Sequence, residues 1–237
     1  MTTTKNQPQM SAQALLRLLQ LTSPALPVGA YSYSEGIETL VEQGVLLTSK
    51  AVAYWLEQEL ACGLVAIDAA AVGLVHRALG GLTLPQTAAI APFNQQLSAR
   101  RDSEETRQQS WAMGRALVRM ATHLHSDLEP WFSAAGSPCN FAPAFAVVAA
   151  RWEIDERQAV LGYLHSWAAN LITSAIKLIP LGQTAGQLLL LELYPALEET
   201  GDRCLAAQSL DDLYLSSWGT SLAAMQHEAL YSRLFRS

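Results

Sequence analysis

SPALPVGAYSYSEGIETL, residues 23–40, is the stretch on which the fold class turns. Its Tyr31-Ser32-Tyr33-Ser34 alternation is the strongest strand signal in the chain. That signal is too short, and too closely flanked by Gly29 and Gly36, to make a strand. Both flanks carry helical spacing instead. Upstream, Leu15, Leu16, Leu18, Leu19 and Leu21 form a leucine-rich helix that Pro24 ends. Downstream, Ile37, Leu40 and Val41 continue at helical intervals, and Gly44 sits where a C-terminal cap belongs. The stretch therefore joins two helices. Pro24, Pro27, Gly29 and Gly36 restrict it more than a plain turn requires.

The same pattern extends along the chain. Thr48 or Ser49 caps a helix that carries Val52, Leu56, Leu60 and Val65 and runs towards Gly80-Gly81. Pro92 interrupts the next segment. Residues 98–123 form one long helix, with a charged first half (ARRDSEETR) and an amphipathic second half (WAMGRALVRMATHL). A Pro/Ser/Gly-rich connection covers 130–140. Apolar helices follow at 141–151, 155–179 and 182–194, the last delimited by Pro180 and Pro195; a short helix at 210–217 and a final one at 220–231 complete the chain. No repeat or interdomain linker interrupts this order. The prediction is all-α: one compact helical domain over 11–237 with about eight to ten helices, a flexible N-terminus at 1–10 and a C-terminal tail.

Composition narrows the function. The 237 residues are 50% hydrophobic and 15% charged, a low charge content that fits a surface covered by other proteins. A net charge of −6 disfavours binding to nucleic acid. MTTTKNQPQMSAQ lacks the apolar core of a signal peptide, and the long uncharged stretches are broken by proline or polar residues. Neither resembles a membrane span. Cys62, Cys139 and Cys204 are odd in number and widely spaced, as free thiols in a reducing cytosol are. The expected location is cytoplasmic.

Catalytic signatures are missing. The only lysines, Lys5, Lys50 and Lys177, do not follow glycine, so there is no P-loop. CxxC, HExxH and GxSxG are absent too. His123 and His125, two apart on a helix, point to different faces and cannot easily share an ion. Asp68, alone in the apolar run LVAIDAAAVGLVH, faces a groove or accepts a hydrogen bond from a neighbour. A small all-α enzyme using Asp68, His165 or the Glu104 region is the alternative reading. A nickel site from His123, His125 or Cys62 is a third.

Three segments resist a purely structural reading. The first is the opening motif, where Glu35 and Glu38 follow a tight turn at Pro27 and Gly29. The second is SAIKLIPLGQTAGQ, residues 174–187. There Lys177 must either snorkel or pair with an acid, Gly182 and Gly186 permit close approach, and Gln183 and Gln187 share a helical face. The third is the terminus, HEALYSRLFRS. If helical, it forms a Tyr231/Leu234/Phe235 stripe flanked by Arg233 and Arg236, the residue types that anchor interfaces.

LLQLTSPALPVGAYSYSEGIE, AIKLIPLGQTAGQ and HEALYSRLFRS, in that order and spacing, resemble the urease accessory protein UreF family over roughly residues 13–237. The resemblance implies an all-helical, non-catalytic homodimer without a cofactor of its own. It implies binding to the accessory protein UreD (UreH) and joint recruitment of UreG, a nickel-carrying GTPase. The assembly then delivers nickel to apo-urease, with nickel passing through the complex transiently. It also implies the partner-binding residues. Pro27, Gly29, Tyr31, Ser32, Ser34, Gly36 and Glu38 match the N-terminal motif; Lys177, Pro180, Gly182, Gln183 and Gln187 match the central one. Tyr231, Ser232, Arg233, Leu234, Phe235 and Arg236 match the tail used towards UreD/UreH. Glu38 and Lys177 are the charged residues placed on the UreG-facing surface. Glu35, Ile37 and Leu230 depart from the family's frequent residues.

Overall fold

The computed structural model describes residues 11–83, 85–216 and 218–236. The predicted flexible N-terminus, residues 1–10, lies outside them. The described residues form twelve α-helices and no strand. In chain order these are α1 (Ala12–Leu21), α2 (Ile37–Glu42), α3 (Ser49–Cys62), α4 (Leu64–Leu79), α5 (Thr87–Ala99) and α6 (Glu104–Leu124). After them come α7 (Glu129–Ala135), α8 (Phe141–Arg151), α9 (Glu156–Leu178), α10 (Gln183–Glu192), α11 (Tyr194–Ala206) and α12 (Trp218–His227).

Helix α4 is the axis of the molecule. It is apolar around almost its whole circumference, as a helix surrounded by protein must be. Ala66, Ala69, Ala70 and Ala71 keep its surface thin, and α8 answers with Ala142, Ala144, Ala146 and Ala149. Small residues on both sides let the two helices pack closely, and α9 and α11 close the other sides.

The helix count exceeds the predicted eight to ten, for identifiable reasons. The helix expected from Thr48 to Gly80 is two, because Gly63 adopts an extended backbone and turns the chain by 46° between α3 and α4. The helix expected over 98–123 begins only at Glu104, where the Ser103 side chain accepts the Thr106 N–H at 3.1 Å as an N-cap. Pro195 starts α11 rather than ending its predecessor, and the connection expected over 130–140 is helical in its first half, where Pro130 sits in the first turn of α7, since a first-turn proline loses no intrahelical bond. Pro92 lies inside α5. The segment expected to be helical over 210–217 holds only a 3-10 turn, Leu210–Asp212, and Ser217 is outside the described residues. The final helix ends at His227 instead of 231.

The opening motif is a connector of unusual backbone. Gly29 and Gly36 have φ of +78° and +87°, which favour glycine, and the 3-10 turn Ala30–Ser32 lies between them. Glu35, at φ +51°, is held in the same region. No single described helix is long and apolar enough to cross a membrane. The bent pair α3–α4 passes by length and composition only, and α4 is the core.

Candidate functional site

The three segments singled out in the sequence meet. After α12 the chain leaves the helix and runs back across the N-terminal motif. The Arg236 N–H donates to the Ser32 carbonyl at 2.8 Å. The Leu234 and Phe235 N–H groups donate to the two oxygens of Glu38, at 2.6 and 3.1 Å. Phe235 is buried, and the Lys177 ammonium of the central segment lies 5.5 Å from its ring centroid. A cation over an aromatic face is attracted by the ring quadrupole, so Lys177 finds its partner in the tail rather than in an acid. The tail runs through turns and bends rather than a helix, so the helical stripe of Tyr231, Leu234 and Phe235 does not form. Phe235 turns inward, while Tyr231 is fully exposed and Leu234 is 64% exposed.

Beneath the tail sits a carboxylate–imidazole–carboxylate chain. His227 is fully buried at the end of α12. Its Nε2 lies 2.8 Å from Glu38 Oε2, and its Nδ1 lies 2.9 Å from Glu105 Oε1. Neither His227 nor Glu105 was singled out from sequence. Their contacts span more than a hundred positions, and a lone His before a Tyr/Phe-rich tail carries no local signal of them. Glu38, expected on a partner-facing surface, is buried here and engaged inside its own chain.

The other predicted residues divide by exposure. Pro27, Tyr31, Lys177, Pro180, Gly182, Gln183, Gln187, Tyr231, Ser232, Arg233, Leu234 and Arg236 are at the surface; Gly29 and Ser32 are half-buried. Ser34 is buried and Gly36 is buried against α12, where a Cβ would stand 2.8 Å from that of Ala223. Gly182 faces open space, whereas Gly186 packs on Ile172 and Ile176 of α9.

Behind the motif lies a partly open cavity of about 170 Å³ lined by Glu35, Glu59, Asp68, Arg101, Tyr163 and Thr220 among others. Asp68 accepts two bonds from the Arg101 Nη2, at 2.9 and 2.7 Å, and one from the Tyr163 hydroxyl at 3.3 Å. Glu35 accepts from Gln109 and Trp167, each at 2.8 Å, which explains its unusual backbone. Burial raises the Glu35 carboxyl, with these two donors opposing the rise. Burial also pushes Glu59 up to about 7, although the Thr220 hydroxyl donates to it. Tyr163 is pushed well above its ordinary value, first by burial and then by Asp68.

The arrangement does not favour the enzyme reading. Asp68 is paired with Arg101. Glu104 is exposed with Arg107, and His165 packs near Tyr194, with ring centroids 6.3 Å apart. Neither Glu104 nor His165 lines the cavity that holds Asp68. Among the described residues no three His, Cys, Asp or Glu side chains are grouped to hold a metal ion. His123 is exposed, the His125 ring packs edge-on to Trp152, and the Cys62 thiol points to the Gln58 and Ser216 carbonyls.

The UreF family model matches residues 47–194. The urease accessory protein UreF of Nostoc sp. is 47% identical over 222 residues, covering 94% of this chain and 95% of that protein. That of Synechocystis sp. is 46% identical over 236 residues, covering 96% and 100%. That of Alkalilimnicola ehrlichii is 40% identical, covering 93% and 95%. Identity of this extent across nearly the whole length places the chain in the UreF family of urease accessory proteins, and it is not an enzyme.

Proposed function

We propose that this protein is a docking subunit of the urease maturation machinery. In this reading it binds UreD/UreH through its C-terminal tail, and the pair recruits the GTPase UreG. Coupling to UreG's GTP cycle then delivers nickel to apo-urease. The chain works in the cytosol as a homodimer, without membrane or nucleic acid. It holds no cofactor of its own, and nickel passes through the complex transiently.

The observation that carries this reading is the convergence of the three segments at one place on the surface. The tail is seated by Glu38, Ser32 and Lys177, yet Tyr231 and Leu234 stay exposed. Leu234, held outward by its own N–H on Glu38, is ordered before binding, which lowers the entropy lost on association. Glu38 then serves as a positioning residue for the tail, and Lys177 keeps an exposed charge beside it.

Pull-down with UreD/UreH tests the reading. Tyr231→Ala with Leu234→Ala removes the exposed anchors without touching the seat, and retention falls by tenfold or more, roughly the effect of losing one or two hot-spot contacts. Lys177→Ala lowers UreG recruitment with helical content unchanged. Unchanged retention in both variants refutes the assignment. Equilibrium dialysis against nickel shows no stoichiometric uptake by the purified chain.

A further inference from the structure

His227 is a buried imidazole with a carboxylate on each ring nitrogen. A neutral imidazole has one N–H and one lone pair, so it can satisfy only one carboxylate. The other contact then sets a lone pair against an anion in a buried site, where unpaired polar groups are costly. Both contacts are satisfied when the group carries one further proton, either as imidazolium or on the facing carboxyl of Glu105. The helix ends agree: His227 is in the last turn of α12, and Glu38 and Glu105 are in the first turns of α2 and α6. Those positions favour a cation and two anions respectively.

We propose that His227, Glu38 and Glu105 form a proton-gated latch on the C-terminal tail. While one proton is shared across the imidazole and its facing carboxyl, α12 is fastened to both α2 and α6 and the tail stays seated. When that proton leaves, one of the two contacts is lost. The end of α12 shifts from its seat, and the tail that starts at the next residue is loosened from Glu38.

The surroundings support the direction. Burial raises the Glu105 carboxyl above its ordinary range, against the opposing effect of His227, so the folded state favours the proton there. The second oxygen of Glu105 is buried without a hydrogen-bond partner among the described residues. Glu228 and Arg233 act on Glu105 with opposite signs, and Lys177 reaches the tail from α9 through Phe235. Asp102, before α6, is engaged by Ser221 of α12. A carboxyl whose folded value is raised contributes stability below its unfolded value and loses it as pH rises through the folded value. The latch therefore closes at lower pH and opens at higher pH. The inference rests on contacts within the chain and stands whether or not the tail meets UreD/UreH.

Hydrogen exchange read by mass spectrometry on the full chain tests it, across about pH 6 to 9. After correction for intrinsic rates, protection of peptides spanning 228–236 falls by about tenfold or more with rising pH, the scale of one charge-assisted hydrogen bond. Peptides from α4, which exchange through global opening, give the reference against which the tail's own loss is read. Glu105→Gln is the deciding variant, because its amide donates to neutral His227 without an extra proton, so its tail stays protected throughout. Tail protection in the unsubstituted chain that does not change with pH overturns the latch. So does a pH dependence in Glu105→Gln equal to that of the unsubstituted chain.

Discussion

Asp68 was visible in the sequence as an isolated acid, and its partner Arg101 was visible as one charge in a charged run. Nothing in either local pattern joins them, because the bond closes over a separation of 33 residues. Paired and buried, they make a strong prediction. Asp68→Asn leaves a buried guanidinium without its counter-charge and costs about 3–5 kcal/mol in chemical denaturation. Replacing both residues with apolar ones of similar size restores much of that loss. Glu59 predicts a pH effect. Its carboxyl is raised from 4.5 to about 7, so the folded state prefers the neutral form. Stability is therefore fully present at low pH and declines as pH rises through about 7. A shift of that size corresponds to about 3 kcal/mol at high pH. Glu59→Gln removes the decline, so thermal melts of the two proteins separate as pH rises from about 4.5 to about 7 and stay apart above it, with the variant the more stable.

At the scale of elements, helix identity was legible and helix punctuation was not. The apolar spacing of 141–151 matches α8 residue for residue, and Thr48 caps α3 with its side chain on the Ala51 N–H, as its position suggested. The errors concern residues with two meanings. A proline ends one helix or begins the next, and Pro130 and Pro195 begin. Local sequence does not distinguish the two, because the choice depends on what the following helix packs against. Gly36 and Gly44 test the difference between a conformational glycine and a packing one. Both have positive φ, but only Gly36 faces another helix closely. Gly44→Ala costs about 1 kcal/mol, the backbone strain alone. Gly36→Ala costs more, because the added methyl displaces α12. It also speeds tryptic cleavage at Arg233, which limited proteolysis reads directly.

At the scale of the molecule, one alanine-rich helix organises the core, and the two ends of the sequence come together on its outside. Fold class and the three segments were readable because each is a local pattern. Their convergence was not, because it depends on how the bundle brings residue 38, residue 177 and residue 235 to one place. The candidate site is thus a product of tertiary structure, and Glu38 shows why. Its charge and motif suggested an exposed contact, whereas packing turned it into the seat of the tail. Removing that tail separates folding from docking, because the core lies elsewhere. Size-exclusion chromatography with mass measurement, on co-expressed UreD/UreH, UreG and this protein with or without residues 228–237, decides the matter. The full chain is predicted to elute as an assembly containing both partners, and the shortened chain to elute folded and helical but without them. A shortened chain that still carries UreD/UreH and UreG at full stoichiometry would contradict the role assigned to the tail.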